Sequence, residues 1–419
     1  TPTVELVMTF DAGAAADRAL KPGLQNFAVG LMDDGSGNLD GQDFARAQEM
    51  LGARIYAYSD VDTTNFALSA LTRSLEDSVA LWASYVREPA FDAEDVERER
   101  GLAVSGLQQA RVNPDNIAGS LFSHLLYGPE HAYGGPLEGR DEVIASYDRD
   151  DLIAFHQGFV RPEHAVIFAS GAVPFDALLA MLETNFGDWR APGEGLAPAV
   201  PAPVEAPPAP RVILVDKPGA IQSVIRVGQV TVDGRDPRGF DLELLNGVLG
   251  GGFTSRLNMN LREEKGWTYG ANSYVSEARG PRVFAVSTSI QTDRTAEALA
   301  EIQRELSTIG GARPITDAEL ELYRRGEVLT LPDRLETNSA VVGYLRQASR
   351  LDRPWDWITG LPDRYAASTP ATATEAAGLL DMNALTWVVV GDLSKIEAGV
   401  RAAGLGEVEV RDPDGRRIR

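Results

Sequence analysis

Residues 247–275 read GVLGGGFTSRLNMNLREEKGWTYGANSYV, a glycine-rich turn followed by a helix-like segment and a strand-like segment. Apolar side chains recur at helical spacing as far as Leu261. Gly266 follows three charged residues and suits the left-handed conformation in which many helices end. The sequence therefore predicts a helix that stops at Gly266, with Arg262 near its end, and a short strand over residues 269–275.

This stretch resembles the second half of the M16 (pitrilysin-type, inverted-zincin) peptidases. Their pattern L-R-x-x-x-G-x-x-Y is matched by Leu261, Arg262, Gly266 and Tyr269. In that family the arginine and the tyrosine reach the peptide held at the zinc of the other half, so the resemblance implies that Arg262 and Tyr269 bind substrate. A phenol can donate a hydrogen bond to a developing oxyanion, and a guanidinium can bind a carbonyl or a carboxylate. The alternative is an arginine paired with a neighbouring acid and a tyrosine that covers a strand.

The three glycines before this motif resemble the glycine-rich loop of M16 relatives. The resemblance implies substrate contact at Gly251 and Gly252, next to Gly250. The alternative is a tight connection between two helices. A phosphate-binding loop is not predicted, because the lysine–serine/threonine ending of such loops is missing.

An earlier stretch, residues 23–35 (GLQNFAVGLMDDG), resembles the M16 segment in which a helix carries His-x-x-Glu-His. In active members the two histidines, four residues apart on one helix face, bind zinc, and the glutamate activates the zinc-bound water. In this register the histidine positions hold Asn26 and Gly30, and the general-base position holds Val29. The motif is therefore interpreted as degenerate.

The downstream segment ERERGLAVSGLQQ (residues 97–109) resembles the stretch that supplies the last zinc ligand, a glutamate, and that position holds Gly106. The chain has no cysteine. Its histidines form no i,i+4 pair: His124, His131, His156 and His164. We therefore predict that this chain binds no metal and has no cofactor of its own, and we expect zinc in a partner subunit.

A proline-rich segment, AVPAPVEAPPAP, occupies residues 199–210. Proline at this density favours extended polyproline geometry and ends helices and sheets. We predict an M16-like N-terminal domain with the degenerate zinc site over residues 1–198, a linker over residues 199–210, and an M16-like C-terminal domain with the Arg/Tyr motif over residues 211–419.

The two halves look like diverged copies with similar element patterns. Alternating NFALSAL (residues 65–71) predicts a strand and is followed by a helical pattern over residues 74–89. Alternating VFAVSTS (residues 283–289) is likewise followed by a helical pattern over residues 295–309. This segregated order favours an α+β class with largely antiparallel sheets. The M16 resemblance implies two homologous domains, each a mainly antiparallel sheet with helices on one side, facing each other like a half-opened clam shell.

The composition excludes several classes of partner. A net charge of −22 disfavours nucleic acid and anionic membrane surfaces. No apolar run approaches the ~20 residues that span a bilayer, so membrane insertion is not predicted. The chain opens directly on a strand-like run, Val4 to Phe10, which favours a processed N-terminus. The resemblance to M16 relatives implies a periplasmic location, with the cytoplasm as the alternative.

One half of an M16 active site is thus degenerate and the other half is kept. This combination predicts a non-catalytic, substrate-binding subunit of a heteromeric zinc peptidase. Its partner would be an M16 subunit with an intact His-x-x-Glu-His motif, in a heterodimer or higher heteromer, and its substrate an extended peptide. The alternatives are a structural core subunit of a larger assembly and a stand-alone protein that binds peptides without cleaving them.

Overall fold

A computed structural model describes residues 2–129, 131–135, 141–197 and 201–419 of the chain. The strands are β1 Thr3–Phe10, β2 Gly35–Ser36, β3 Leu39–Asp40, β4 Arg54–Ser59, β5 Thr64–Leu71, β6 Val166–Gly171, β7 Arg211–Asp216, β8 Gln222–Asp233, β9 Ala271–Val275, β10 Pro281–Gln291, β11 Thr386–Gly391 and β12 Glu407–Arg411. The helices are α1 Leu24–Gly30, α2 Gly41–Leu51, α3 Leu75–Arg87, α4 Ala93–Ala110, α5 Pro114–Tyr127, α6 Asp141–Ile144, α7 Arg149–Phe159, α8 Phe175–Phe186, α9 Gly239–Leu249, α10 Arg256–Asn258, α11 Thr295–Thr308, α12 Asp317–Thr330, α13 Asn338–Arg350, α14 Leu361–Ala367, α15 Pro370–Glu375 and α16 Leu393–Ala402.

The chain folds into two compact units, and each unit takes a segment from the opposite half of the sequence. Unit 1 contains Thr1–Leu107, Gly135–Pro201 and Leu331–Trp355. Unit 2 contains Gln108–Gly134, Ala202–Thr330 and Asp356–Arg419.

Unit 1 is built on a four-stranded sheet in the order β4-β5-β1-β6, with every neighbouring pair antiparallel. Side chains alternate between the two faces of a strand. From β1, Leu6, Met8 and Phe10 enter a large apolar core that also contains Trp82 of α3 and Phe155 of α7. The helices of the first half of the chain therefore cover this face.

The opposite face of the unit 1 sheet is covered by α13, which comes from the second half of the chain. Val7 of β1 and Val342 of α13 share an apolar cluster. The Arg346 guanidinium donates to Tyr58 Oη (2.6 Å) and to Asn65 Oδ1 (2.7 Å). These bonds fix α13 across β4 and β5.

Unit 2 contains a six-stranded sheet in the order β12-β7-β11-β8-β10-β9. Strand β7 pairs in parallel with β11 and β12, and the other pairs are antiparallel. One face packs against α5 from the first half of the chain, where Ile117 and Leu121 join Val224 and Val388 in one cluster. Strand β9 is one of the two edge strands of this sheet and follows the segment that carries Arg262.

The predicted α+β class with mainly antiparallel sheets is confirmed. The alternating runs over residues 65–71 and 283–289 are strands, and the helical patterns that follow them are helices. Helices α5 and α13 each belong to the unit formed mainly by the opposite half of the chain. The two units therefore do not coincide with a simple division of the chain at the proline-rich linker. The physical reason is that each sheet carries buried apolar residues on both faces, such as Val7 on the second face of the unit 1 sheet, so each second face needs its own cover. The domain boundaries at residues 198 and 211 stay a prediction, and residues 198–200 lie outside the described residues.

Membrane insertion was not predicted from the sequence. Among the described residues, every helix is too short or too polar to cross a bilayer.

Candidate functional site

Three of the positions that resemble the M16 metal motif lie on α1, two on its exposed side and one in the core. Asn26 and Gly30 are exposed, one turn apart, whereas Val29 is buried and only 8% exposed. Among the described residues, a Cβ atom built on Gly30 would meet no atom within 4 Å beyond its own helix. The same is true of Gly106 in α4. The backbone at both glycines would therefore accept a larger side chain.

The first turn of α1 is anchored by a buried carboxyl group. Asp17 accepts hydrogen bonds from the backbone N–H groups of Gly23 and Gln25, both at 2.7 Å. Burial raises the pKa of Asp17 to about 7, and the two backbone hydrogen bonds act in the opposite direction. Asp17 thus holds the start of α1 in place of an N-cap side chain.

The residues at these positions do not fit a zinc ion. A carboxamide, an isopropyl group and two glycines offer no imidazole and no carboxylate, the ligands that zinc uses in such sites. Among the described residues, no three His, Cys, Asp or Glu side chains are grouped so that they could hold a metal ion. No step of a reaction is therefore assigned to a metal on this chain.

Two of the histidines have clear structural partners. His131 Nδ1 accepts from the backbone N–H of Tyr133 (3.0 Å), and its ring stacks on Tyr127 at 5.0 Å between centroids. His156 is buried, with Nε2 2.8 Å from the carbonyl oxygen of Val86, and burial lowers its pKa. Both rings support local packing.

In unit 2, α10 continues directly into a π-helical turn over Met259–Glu264. The Lys265 N–H bonds to the Asn260 carbonyl, five residues back, at 3.0 Å. Gly266 then adopts a left-handed φ of 66°, and its N–H bonds to the Arg262 carbonyl at 3.0 Å. The predicted helix end at Gly266 is confirmed. Single π-helical turns occur frequently at functional sites, and this one contains Arg262.

Arg262 projects from this turn with a partly exposed side chain. Its guanidinium lies over the Phe253 ring, 4.7 Å from the centroid, and Phe253 is itself 60% exposed. Arg262 Nε is 3.4 Å from the Glu263 carboxylate. Because Glu263 is its immediate neighbour and is also exposed, this pair contributes little to stability.

Tyr269 is 92% exposed. The predicted strand start at Tyr269 is wrong, because β9 begins at Ala271. Thr268 Oγ1 accepts from the Gly270 N–H (3.1 Å), and Thr288 Oγ1 donates to the Gly270 carbonyl (2.9 Å). These bonds hold residues 268–270 in a loop, so Tyr269 stands outside the sheet.

The three glycines of the loop have different structural needs. A Cβ on Gly250 would lie 2.4 Å from the backbone N of Ser273, and one on Gly251 would lie 2.9 Å from Gly247 Cα. Gly250 and Gly251 are therefore required by close packing, in agreement with the structural alternative. A Cβ on Gly252 would meet nothing within 4 Å, so packing does not explain this glycine.

A buried polar network holds the π-helical turn in place. Asn260 Nδ2 donates to Glu301 Oε2 (2.8 Å) and to Glu305 Oε1 (3.0 Å). The Glu305 side chain is 2% exposed and receives two further bonds of 2.9 Å from Arg313. Sequence analysis missed this network, although a glutamate on the apolar face of α11, three residues after Ile302, is an unusual feature that points to a buried pair.

Arg256 anchors the start of the same segment to α12. It forms a two-pronged ion pair with Glu319, at 2.6 and 2.8 Å. Burial alone would raise the pKa of Glu319, but the bonds from Arg256 and Thr316 lower it to about 2. Thr316 and Glu319 also form reciprocal capping bonds at 2.9 and 3.3 Å, which stabilise the start of α12.

An open pocket of about 280 Å³ lies next to Tyr269 on the sheet of unit 2. It is lined by uncharged polar residues and one glycine: Gln222, Thr268, Tyr269, Gly270, Asn272, Ser287, Thr288 and Ser289. Arg262, Phe253 and Tyr269 thus present exposed side chains on one continuous segment, and Tyr269 also borders this pocket.

Known proteins resemble the chain over most of its length. The family described as "Insulinase (Peptidase family M16)" matches residues 1–128, and the one described as "Peptidase M16 inactive domain" matches residues 146–327. The uncharacterized zinc protease YmxG of Bacillus subtilis is 24% identical over 71% of this chain and 71% of its own length. The beta subunit of human mitochondrial-processing peptidase is 25% identical over 48% of this chain and 40% of its own.

Solved structures agree with these matches at the level of the fold. A peptidase M16 inactive domain from Pseudomonas fluorescens superposes with a TM-score of 0.86 at 22% identity, covering 93% of this chain and 92% of that one. A protease from Helicobacter pylori superposes with a TM-score of 0.85 at 19% identity, covering 93% and 94%. The chain belongs to the M16 peptidase family.

Proposed function

We propose that this chain is the non-catalytic, substrate-binding subunit of a heteromeric M16 peptidase. One observation carries the proposal: Arg262 and Tyr269 are kept at the family positions although the packing of unit 2 does not require their side chains. Tyr269 is almost fully exposed, and Arg262 contacts the exposed side chains of Phe253 and Glu263. Side chains that the fold does not need are best explained by a ligand.

The degenerate helix α1 supports the same proposal from the other unit. Without ligands at positions 26, 30 and 106, this chain cannot assemble the zinc site of an active relative. A partner with an intact His-x-x-Glu-His motif would supply the metal and the general base. Arg262 and Tyr269 would then bind the backbone of a peptide held by that partner.

The mechanism assigned to this chain is limited to binding and charge stabilisation. The Arg262 guanidinium can fork onto a carbonyl oxygen, held in place by the Phe253 ring. The Tyr269 hydroxyl can donate to the carbonyl oxygen that becomes an oxyanion during peptide hydrolysis. The buried hydrogen bonds from Asn260 to Glu301 and Glu305 anchor the π-helical turn that carries Arg262.

The test is a reconstitution. Cleavage of a quenched fluorescent peptide is measured with this chain alone, with a zinc-bearing M16 partner alone, and with both. We expect activity only in the mixture. Arg262→Ala and Tyr269→Phe should each lower kcat by about 10²–10³-fold, as loss of one oxyanion donor does in other hydrolases.

Tyr274→Phe in β9 and Arg238→Ala are the matched controls, because both side chains are exposed in the same unit. They should leave the rate of the mixture unchanged. A partner that is fully active alone would contradict the proposal and favour a structural core subunit. Peptide binding by this chain without any gain in cleavage would favour a stand-alone peptide-binding protein. The periplasmic location stays a prediction.

A further inference from the structure

The pocket beside Tyr269 contains donors and no acid. Ser287 and Ser289 of β10 offer hydroxyl groups, and Gln222 and Asn272 offer side-chain amides. None of its lining residues is an aspartate or a glutamate, although the chain as a whole has a net charge of −22. Hydroxyl and amide N–H groups that line a pocket without acidic residues can donate hydrogen bonds to a bound anion.

Arg226 adjoins this pocket on the same face of the sheet. In the register of the sheet, Arg226 of β8 is opposite Ser287 of β10, and Ser287 is opposite Asn272 of β9. Paired residues of neighbouring strands project to the same side, and neighbouring strands lie about 4.8 Å apart. The backbone of Arg226 therefore lies in one row with two of the donors that line the pocket, and its guanidinium lies beside α5, with Nη2 3.6 Å from the position of a Cβ built on Gly119.

The partly buried Arg226 side chain lacks the carboxylate partner that two other arginines of this unit have. Its Nε is buried and has no hydrogen-bond partner, and within the described part of the chain no carboxylate pairs with it. By contrast, Arg256 is paired with Glu319 and Arg282 with Glu243, each with an arginine side chain 8% exposed. A cation that is partly withdrawn from water and has no anion beside it is unfavourable, so the unpaired guanidinium favours a site that is completed by a ligand.

From this arrangement we propose that the pocket beside Tyr269 binds a carboxylate of the substrate peptide, with Arg226 as the cation and Ser287 and Asn272 as hydrogen-bond donors. The carboxylate is either the C-terminus of the peptide or an acidic side chain. The inference rests on the proposed function in one respect, that the ligand is a peptide. The negative charge of the whole chain does not prevent a carboxylate from binding here, because solvent and salt screen distant charges, whereas the contacts within the pocket are short.

Binding to this chain alone tests the proposal without any partner or zinc. Three N-terminally labelled hexapeptides of one neutral sequence are compared by fluorescence anisotropy: a free C-terminal acid, a C-terminal amide, and an amide with one internal Gln→Glu change. We expect at least one acid-bearing peptide to bind at least tenfold more tightly than the neutral amide. The comparison of the two acids identifies which carboxylate is recognised.

Arg226→Met should abolish this preference, and Arg226→Lys should keep part of it. Arg238→Met, a change of the same size at an exposed and paired arginine of the same unit, should keep all of it. If Arg226→Met does not fold, as judged by circular dichroism, Ser287→Ala decides the question, because it should reduce the preference severalfold.

Equal affinity of wild-type protein for all three peptides, absence of binding to any of them, or a full preference in Arg226→Met or Ser287→Ala would overturn the proposal. Failure of the reconstitution described above, with the carboxylate preference intact, would instead refute the catalytic partnership and leave the carboxylate site standing.

Discussion

Helix α1 of unit 1 and the π-helical turn of unit 2 are the two places where the family resemblance locates an active site, and their neighbours constrain them differently. Around Gly30 and Gly106 the space is open. The Asn260 side chain, by contrast, is held by buried hydrogen bonds to two carboxylates. Among the described residues, no close neighbour restricts which side chain could stand at Gly30 or Gly106. The turn of unit 2, by contrast, is held by a buried hydrogen-bond network. The comparison shows that buried hydrogen bonds constrain the turn of unit 2, whereas the described surroundings leave the two glycine positions of unit 1 open.

The largest effect is expected from breaking the buried network under the turn. Glu305→Ala removes the acceptor that Asn260 and Arg313 share, and with it several hydrogen bonds to a buried carboxylate, so we expect a loss of about 2–4 kcal/mol in the free energy of unfolding. Urea unfolding followed by tryptophan fluorescence measures it. Glu297→Ala on the same helix, with a side chain 49% exposed, is the control and should change stability by less than about 0.5 kcal/mol. Similar losses for both variants would show that the network is unimportant.

A pH-dependent effect is expected on the α1 side of the comparison. The pKa of Asp17 in the folded protein is raised from 3.8 to about 7, so the folded state binds the extra proton between these values. Stability from this group is therefore greatest below pH 4 and declines as the pH rises towards 7. In Asp17→Asn this decline should vanish, so the stability of the variant relative to wild type should rise by about 3 kcal/mol between pH 4.5 and 7.5.

Urea unfolding at several pH values measures this difference. The lowered pKa of His156 acts below pH 6.5 with the opposite sign, but it is common to both proteins and cancels in the comparison. A constant difference between the two proteins across this range would mean that Asp17 titrates normally.

A smaller effect separates two glycines of the glycine-rich loop. Gly250→Ala would place a Cβ atom 2.4 Å from the Ser273 backbone N, so we expect a loss of about 1–3 kcal/mol from overpacking. Gly252→Ala meets open space and should leave stability unchanged within about 0.5 kcal/mol. Thermal unfolding of both variants measures this difference in stability. A larger loss in Gly252→Ala than in Gly250→Ala would contradict the expectation. A loss of peptide binding in a stable Gly252→Ala variant would assign that glycine to the substrate.

The smallest expected effect is a gain in stability. Gly106 lies inside α4 without a positive φ, and the space that an alanine Cβ would occupy there is open. Gly106→Ala should therefore stabilise the protein by about 0.5–1 kcal/mol through helix propensity. A rise in the unfolding midpoint checks this expectation. Destabilisation would show that the degenerate position is structurally constrained after all, and the contrast with the turn of unit 2 would weaken.

Much of the candidate site was predictable because it depends on short-range patterns. Gly266 ends the segment that carries Arg262, as its place after three charged residues predicted. The strand start at Tyr269 was misjudged because the Thr288 hydroxyl, on a neighbouring strand, holds the loop. The role of Asn260 was invisible for the same reason, since its partner Glu305 lies 45 residues away.

The sequence by itself determined the α+β class, the strands and helices at the periodic segments and the left-handed helix end at Gly266. These features depend on residue identity and on neighbours within a few positions, where periodicity and capping act. Only the tertiary structure decided that α5 and α13 cover the sheets of the opposite halves, and that Arg226 stands unpaired beside the pocket. Those outcomes depend on contacts such as that between Arg346 and Thr9, 337 residues apart, which are set by the burial of two-faced sheets and have no local pattern.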